Sequence, residues 1–325
     1  MSRRLAFGID VGGTNIRVIL GDEKGKVLAR LSEKTETEKG PEGISEQVIR
    51  MIRSIRVKDL RLGDVEGIGI GSAGPLDIKR GALMKPTNIP YDFVPLVKPL
   101  EHNLDLETTL LNDCTTAVVG EKFFGAGKKV ANLAYVTIST GIGGGIYVNG
   151  HLLVGKDGNA HEIGHLTIDF EGRLVCGCGK RGHWEAYCSG KNIPDFVKLV
   201  LEEKSTDEIE RSILAKIRGE ERGRITARSL LEVAKSGDEL AMEIVEKIGN
   251  LNAVGFACVN DAYDPSLITV GGSVTLNNRE LVVEPIRRHI EEHSRNRIPE
   301  IKVTPLGDDV VLYGALAIVF HRDQL

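Results

Sequence analysis

A chain of 325 residues with 41% hydrophobic and 27% charged residues has the composition of a soluble globular protein that is long enough for two cores. Its net charge of -4 gives no electrostatic reason to expect nucleic acid or an anionic membrane as a partner, and no long apolar run predicts a membrane span. Five cysteines, an odd number, argue against a disulfide framework, so we expect a reducing compartment and a cytoplasmic protein. The first residues run directly into a strand pattern, which argues against a signal peptide.

The first half of the chain mixes strand and helix patterns. Short apolar or alternating runs predict strands at 5–10, 16–20, 26–31, 65–70 and 108–111. The first three form an antiparallel start, with a tight turn at Gly12-Gly13. Apolar residues at helical spacing predict a helix at 43–56, and a second helix is expected at 115–124.

The second half opens in the same order. Strands are predicted at 133–138 and 145–148, separated by a polar glycine-rich turn at 139–145, and Asn149-Gly150 predicts a hairpin into a third short strand. The chain then becomes mainly helical from about 190 to 265, with a break near Gly237 and a charged, solvated segment at 205–224. A last buried strand at 267–270 leads into Gly271-Gly272-Ser273.

Three glycine-rich turns follow apolar strands, at 10–14, 139–145 and 271–273. Glycine lets backbone N–H groups approach an anion closely, and ligands bind at strand ends in α/β folds. A structural turn is the better explanation of any one of them, but three at comparable strand ends favour a nucleotide phosphate site. Asp10 precedes the first turn and would hold Mg²⁺ through water.

Two common nucleotide motifs do not match these turns. The sequence has no G-x-x-x-x-G-K-[ST], which excludes a Walker-type P-loop. A Rossmann fingerprint would lead from a strand into a helix, whereas the turn at Gly141 leads into another strand pattern. A dinucleotide cofactor is therefore not expected.

A dense group of metal-binding side chains lies between residues 162 and 185. We expect a tetrahedral zinc site formed by His165, Cys176, Cys178 and His183, although Cys-x-Cys is tighter than the usual spacing and a pair of buried thiols is the alternative. Four protein ligands leave no open position for a catalytic water, so the zinc would be structural. It would fix Glu162, His165 and Glu185 around a small polar substrate.

These motifs resemble the ROK family of sugar kinases and repressors, within the two-lobed actin-like ATPase (ribonuclease H-like) fold of the α/β class. Asp10-x-Gly-Gly-Thr-x-x-Arg17, Ser139-Thr-Gly-x-Gly and Gly271-Gly272 look like the family's two phosphate motifs and its adenosine motif. Glu162-x-Gly-His165 and the Cys-x-Cys block are its most specific markers, and Asn112-Asp113 matches the pair whose aspartate is the catalytic base. His183 stands where the family pattern usually has a third cysteine, so the alternative is a weak or empty zinc site.

The resemblance implies a role for each matched residue. Asp113 would take the proton of a sugar primary hydroxyl, and the alternative for it is a helix N-cap, a role that the same residue could also fill. The sugar contacts would come from Gly74, Asn88, Asn112, Asp113, Glu162, His165 and Glu185. The nucleotide contacts would come from Asp10, Gly12, Gly13, Thr14, Asn15, Arg17, Thr140, Gly141, Gly271 and Gly272.

The expected function is ATP-dependent phosphorylation of the 6-hydroxyl of a hexose, chiefly glucose, with Mg²⁺ and structural zinc and with a homodimer or homotetramer as the assembly. Two lobes are expected on either side of a central cleft. The small lobe would be formed by 1–112 with about 308–325, and the large lobe by 113–307. An N-acetylglucosamine or N-acetylmannosamine kinase and a non-catalytic sugar sensor are the alternatives. A repressor of the same family would need a DNA-binding domain before Leu5, for which we see no room.

Overall fold

The computed structural model describes residues 3–58, 60–86, 89–220 and 225–325. Its strands are β1 (Leu5–Val11), β2 (Asn15–Asp22), β3 (Val27–Lys34), β4 (Ile68–Ser72), β5 (Leu76–Asp77), β6 (Ala82–Met84), β7 (Phe93–Pro95), β8 (Thr108–Asn112), β9 (Leu133–Ile138), β10 (Ile142–Val148), β11 (His151–Leu152), β12 (Leu267–Gly271) and β13 (Glu300–Val303). Its α-helices are α1 (Gly43–Ser54), α2 (Val97–Leu104), α3 (Asp113–Phe123), α4 (Glu185–Cys188), α5 (Ile193–Glu202), α6 (Thr206–Arg211), α7 (Ile213–Glu220), α8 (Ala227–Lys235), α9 (Glu239–Tyr263), α10 (Ser273–Asn277), α11 (Arg279–His293) and α12 (Val310–Phe320). No helix of the described residues combines the length and the apolar composition that a membrane span requires.

The first sheet has the strand order β3-β2-β1-β4-β8. The predicted antiparallel start is confirmed, because β1 pairs with β2 and β2 with β3 in antiparallel register. On the other side β1, β4 and β8 run parallel, with Asp10 opposite Gly71 and Ser72 opposite Asn112. Parallel strands bring their carboxyl ends to one edge of the sheet, so Asp10 and Asn112 lie at the same edge.

The chain divides into two compact units. Unit 1 contains residues 1–135, 145–161 and 304–325, and unit 2 contains 136–144 and 162–303. In unit 1, α12 packs on the first sheet, where Leu312 and Leu316 join Ala6 and Ile19 in a buried cluster. The border that we predicted at residue 112 stays a prediction, and the packing groups α3 with unit 1.

The second five-stranded sheet has the order β11-β10-β9-β12-β13, and β5, β6 and β7 form a small third sheet. Asn149 and Gly150 have φ values of 52° and 81° and join β10 to β11, as the hairpin prediction required. The predicted break near Gly237 is also confirmed, since that residue has φ 86° and separates α8 from α9.

Several predicted boundaries were wrong by a few residues. The turn predicted at 139–145 is shorter because β10 already begins at Ile142, and the strand predicted at 65–70 begins only at Ile68. Val65 instead closes a 3-10 turn through its N–H to Leu62. The helix predicted at 115–124 begins at Asp113, because the Asn112 side chain caps it. Of the charged segment at 205–224, residues 221–224 lie outside the described residues, and the rest forms α6 and α7.

Candidate functional site

The carboxyl edge of the first sheet carries two aspartates whose charges act on each other. Asp113 is the first residue of α3, directly after β8, and Asp10 lies near the end of β1. Burial raises the pKa of Asp113, and the negative charge of Asp10 raises it further. A carboxylate with a raised pKa holds a proton more strongly, which suits a general base for a hydroxyl group.

Asp10 is held by an ion pair across β1 and β2. The Arg17 guanidinium donates from Nη2 at 2.5 Å and from Nε at 3.0 Å, and both bonds end on Oδ2 of Asp10. Burial raises the pKa of Asp10 while the charge of Arg17 opposes that rise. Because Arg17 does not use Oδ1, the carboxylate retains an oxygen that suits a hydrated cation.

The N-cap of α3 is Asn112 rather than Asp113. Its Oδ1 accepts from the backbone N–H groups of Cys114 and Thr115 at 2.9 and 3.3 Å. The Asp113 carboxylate accepts from the adjacent Cys114 N–H at 2.8 Å, a hydrogen bond that opposes the rise of its pKa. Asn112 therefore supplies the cap, which leaves Asp113 suited to the chemistry.

Gly74, predicted to contact sugar, lies beside this edge. A side-chain carbon at Gly74 would lie 3.6 Å from Nδ2 of Asn112 and 3.5 Å from Oδ1 of Asn159. Asn159 also holds the next strand, since its amide accepts from the Leu76 N–H and donates to the Leu76 carbonyl, both at 2.9 Å. Our sequence analysis missed Asn159, because nothing in the chain indicates its distant partner. Asn88 lies outside the described residues.

The first glycine turn joins β1 to β2 and brings Gly12, Gly13, Thr14 and Asn15 together. The Gly12 N–H donates to the Asn15 carbonyl at 3.0 Å, and the Thr35 hydroxyl donates to the Gly12 carbonyl at 2.6 Å. These bonds fix a tight turn next to Asp10. Its backbone can present N–H groups to an anion.

In unit 2 the other two glycine turns come together. Ser139 Oγ lies 3.1 Å from Ser273 Oγ, and the Gly190 N–H donates to the Ser139 carbonyl at 2.7 Å. Gly272 has φ 87°, and a side-chain carbon there would lie 2.5 Å from the Ile138 carbonyl, so glycine is required. The contact between Ser139 and Ser273 therefore joins the turn that contains Thr140 and Gly141 to the turn that contains Gly271.

A groove of about 920 Å³ opens at this junction, and we call it the serine groove. Its lining includes Ser139, Thr140, Lys191, Arg228, Lys235 and Ser273. Three of its side chains are cationic and one, Glu232, is anionic and pairs with Arg228 at 2.8 Å, so the lining keeps a net positive charge that favours an anionic ligand. The sequence analysis found the serine and threonine but not the cations, because those come from α8 and from residue 191, which carry no phosphate motif.

The four predicted zinc ligands converge in unit 2. The ligand atoms of His165, Cys176, Cys178 and His183 all lie within 4.8 Å of one another. Cys176 Sγ is 3.6 Å from His165 Nδ1, and Cys178 Sγ is 3.3 Å from His183 Nδ1. Tetrahedral zinc bonds of normal length would separate such a sulfur and nitrogen by about 3.6 Å, so the donor set fits the ion.

The chemistry of these side chains agrees with the spacing. Burial lowers the pKa of His183, and the charge of His165 adds to that effect, so its imidazole is neutral and able to bind a cation. Burial raises the pKa of Cys176 to about 12, so without a cation this thiol stays protonated. A bound metal ion would favour the thiolate.

The predicted sugar ligands of unit 2 surround the same cluster. His165 turns Nδ1 toward Cys176 and Nε2 toward Glu162, whose Oε2 lies 3.8 Å away. Glu185 accepts from the Ile142 N–H at 2.9 Å through Oε2, while its Oε1 lies 3.7 Å from Cys176 Sγ. The turn that carries His165 needs glycine at 164, where a side-chain carbon would lie 2.2 Å from the Ile142 carbonyl.

Comparison with known proteins agrees with these motifs. The sequence pattern of the ROK family matches residues 6–322. A glucokinase from Pyrobaculum calidifontis is 37% identical over 98% of this chain and 96% of its own length.

Two solved structures share the fold over nearly the whole chain. The ROK hexokinase from Thermus thermophilus has a TM-score of 0.79 at 29% identity and covers 98% of this chain and 99% of its own. A ROK family glucokinase from Streptomyces griseus, solved with glucose and AMPPNP, has a TM-score of 0.76 at 30% identity and covers 97% and 98%. The predicted actin-like ATPase fold is confirmed, and the chain belongs to the ROK family.

Proposed function

We propose that this protein is a kinase that transfers the γ-phosphoryl group of ATP to the 6-hydroxyl of a hexose, with glucose as the preferred sugar. The observation that carries the proposal is Asp113, a carboxylate with a raised pKa at a strand end beside Asp10 and a glycine turn. The full-length similarity to glucokinases, including one solved with glucose and an ATP analogue, supports the same activity.

The described residues divide the work of phosphoryl transfer. Asp113 accepts the proton of the sugar hydroxyl, which makes its oxygen a better nucleophile. The turns at Gly12-Gly13 and Thr140-Gly141 hold the phosphates, and the serine groove, with Gly271 and Gly272 on the adenosine side, accommodates the nucleotide. Mg²⁺, when bound beside Asp10, neutralises charge on the phosphate oxygens.

The sugar is recognised by hydrogen bonds to its hydroxyl groups. Glu162 and Glu185 accept from them, and His165 contributes Nε2 while Nδ1 serves the metal. Gly74, Asn88 and Asn112 complete the set. A site built on such bonds discriminates strongly against analogues that lack a hydroxyl. Zinc held by His165, Cys176, Cys178 and His183 would fix the loop that carries these groups.

The location and assembly of the protein belong to the same proposal. We propose that it acts in the cytoplasm as a homodimer or homotetramer. We also propose that its functional lobes are 1–112 with about 308–325, and 113–307.

The test is a coupled assay of ADP formation with Mg-ATP and each of five sugars: glucose, mannose, fructose, N-acetylglucosamine and N-acetylmannosamine. We expect the highest kcat/KM for glucose. A higher kcat/KM for N-acetylglucosamine or N-acetylmannosamine than for glucose would identify the acetamido sugar as the preferred substrate instead. Absence of turnover on all five, in protein that is folded and contains zinc, would favour a sugar-sensing role instead.

A further inference from the structure

We propose that Asp309 is a positioning residue for the phosphoryl transfer, because it holds the Arg17 guanidinium that in turn holds Asp10. The proposal rests on the proposed kinase function. It assigns a role to a residue that lies nearly 300 positions away from Asp10 in the sequence and outside the glycine turns.

Asp309 sits at a helix start but does not serve as a cap. It is the N-cap residue of α12, and its side chain makes no capping hydrogen bond among the described residues. Aspartate at this position ordinarily accepts from the first turn of the helix. Here its carboxylate faces two arginines on neighbouring strands, so its side chain forms ion pairs with the sheet instead of capping the helix.

Two arginines share this carboxylate. Arg30 on β3 donates from Nη1 to Oδ1 at 3.0 Å and from Nη2 to Oδ2, in a bidentate pair. Arg17 on β2 brings its Nη1 to 3.5 Å from the same Oδ1. Bidentate pairing with Arg30 fixes the plane of the carboxylate, and thereby the point to which Arg17 is attracted.

The Arg17 guanidinium is therefore held between two carboxylates. Its Nε and Nη2 donate to Asp10, while its remaining nitrogen, Nη1, faces Asp309. The Arg17 side chain is 27% exposed and that of Asp10 is 16% exposed, so water screens this pair less than a surface pair. A flexible arginine held at both ends loses rotational freedom, and its partner Asp10 is fixed with it.

A purely structural role for Asp309 predicts different results. In that case the Arg30 pair would only attach the start of α12 to β3, and its loss would lower stability without a specific effect on the chemical step. Positioning through Arg17 predicts a fall in kcat, and it predicts that this fall disappears when Arg17 has already been removed. A double-mutant cycle separates the two roles.

The experiment compares D309N, R17M and the double variant D309N/R17M with wild type. D308N is the control, since Asp308 is the exposed acidic neighbour of Asp309. We expect D309N to lower kcat by roughly 10- to 100-fold, with little change in the KM for glucose. We expect the double variant to match R17M, and D308N to match wild type.

Readouts without catalysis complete the test. Thermal unfolding and calorimetric glucose binding, both without nucleotide, should show D309N folded and able to bind sugar. D309E, which keeps the charge, should recover part of the lost rate; if D309N does not fold, D309E and its cycle with R17M replace it. Additive losses in D309N and R17M, or wild-type kcat in D309N, would overturn the proposal. Absence of sugar-dependent turnover in wild type would instead contradict the kinase function itself.

Discussion

Replacement of Asp113 by asparagine is expected to lower kcat by about 10³-fold and to leave the Kd for glucose nearly unchanged. Asparagine has the same shape, so the backbone N–H of Cys114 keeps an acceptor and α3 keeps its cap at Asn112. The amide cannot take a proton from the sugar hydroxyl. The measurement pairs steady-state kinetics with calorimetric titration of glucose into the variant.

The matched control for this variant is Asp105→Asn. Asp105 is exposed and has φ 53°, a conformation that asparagine also adopts readily. The control should therefore keep both activity and stability. Turnover close to wild type in the Asp113 variant would refute its assignment as the base.

The pH dependence of the wild-type enzyme gives a second test of Asp113. A base must be ionised to act, so kcat/KM should fall as the pH drops through the pKa of Asp113. Because burial and the charge of Asp10 raise that pKa, the fall should begin at a higher pH than for an ordinary aspartate. The Asp113→Asn variant should lack this acid limb.

The second large effect is expected from loss of the zinc site. Wild-type protein should contain about one zinc ion per chain, and Cys176→Ala should reduce this to less than about half an ion. The variant should also lose about 10- to 100-fold in kcat/KM for glucose, because a bound zinc ion would orient the His165 ring and the loop that carries it. Mass spectrometry of the native protein measures the metal, and the coupled assay measures the rate.

Three further cysteine and histidine variants refine this prediction. Cys258→Ala is the control, since Cys258 lies outside the cluster and should leave both metal and rate unchanged. His183→Cys introduces a third thiolate and should retain zinc, whereas His183→Ala should lose zinc. Less than about half an ion in wild-type protein would contradict the site, as would full metal content in Cys176→Ala.

The sequence predicted those parts of the site that lie within short segments of the chain. The ligands between His165 and His183 are separated by few residues and have side chains of unambiguous chemistry, so their convergence could be expected. The position of Asp113 directly after its strand could also be expected. The exact start of α3 could not be predicted, because Asn112 and Asp113 are both good caps. Only the structure shows that the Asn112 side chain accepts the hydrogen bonds from the first turn of the helix.

Contacts between distant segments could not be predicted. Asn159 holds Leu76, and Asp309 meets Arg17 and Arg30, in each case across tens to hundreds of residues. Neither residue belongs to a motif, and an isolated aspartate before a helix predicts a cap, not an ion pair. Such contacts depend on how the sheet and α12 pack, which single-sequence patterns do not specify.

The most direct test of the central claim is identification of the product by nuclear magnetic resonance. Wild-type protein would be incubated with glucose and Mg-ATP, and the phosphorus and carbon spectra would show where the phosphoryl group is attached. We predict glucose 6-phosphate in an amount equal to the ADP formed. Phosphate on another carbon, or ADP formed with no sugar phosphate, would contradict transfer to the 6-hydroxyl.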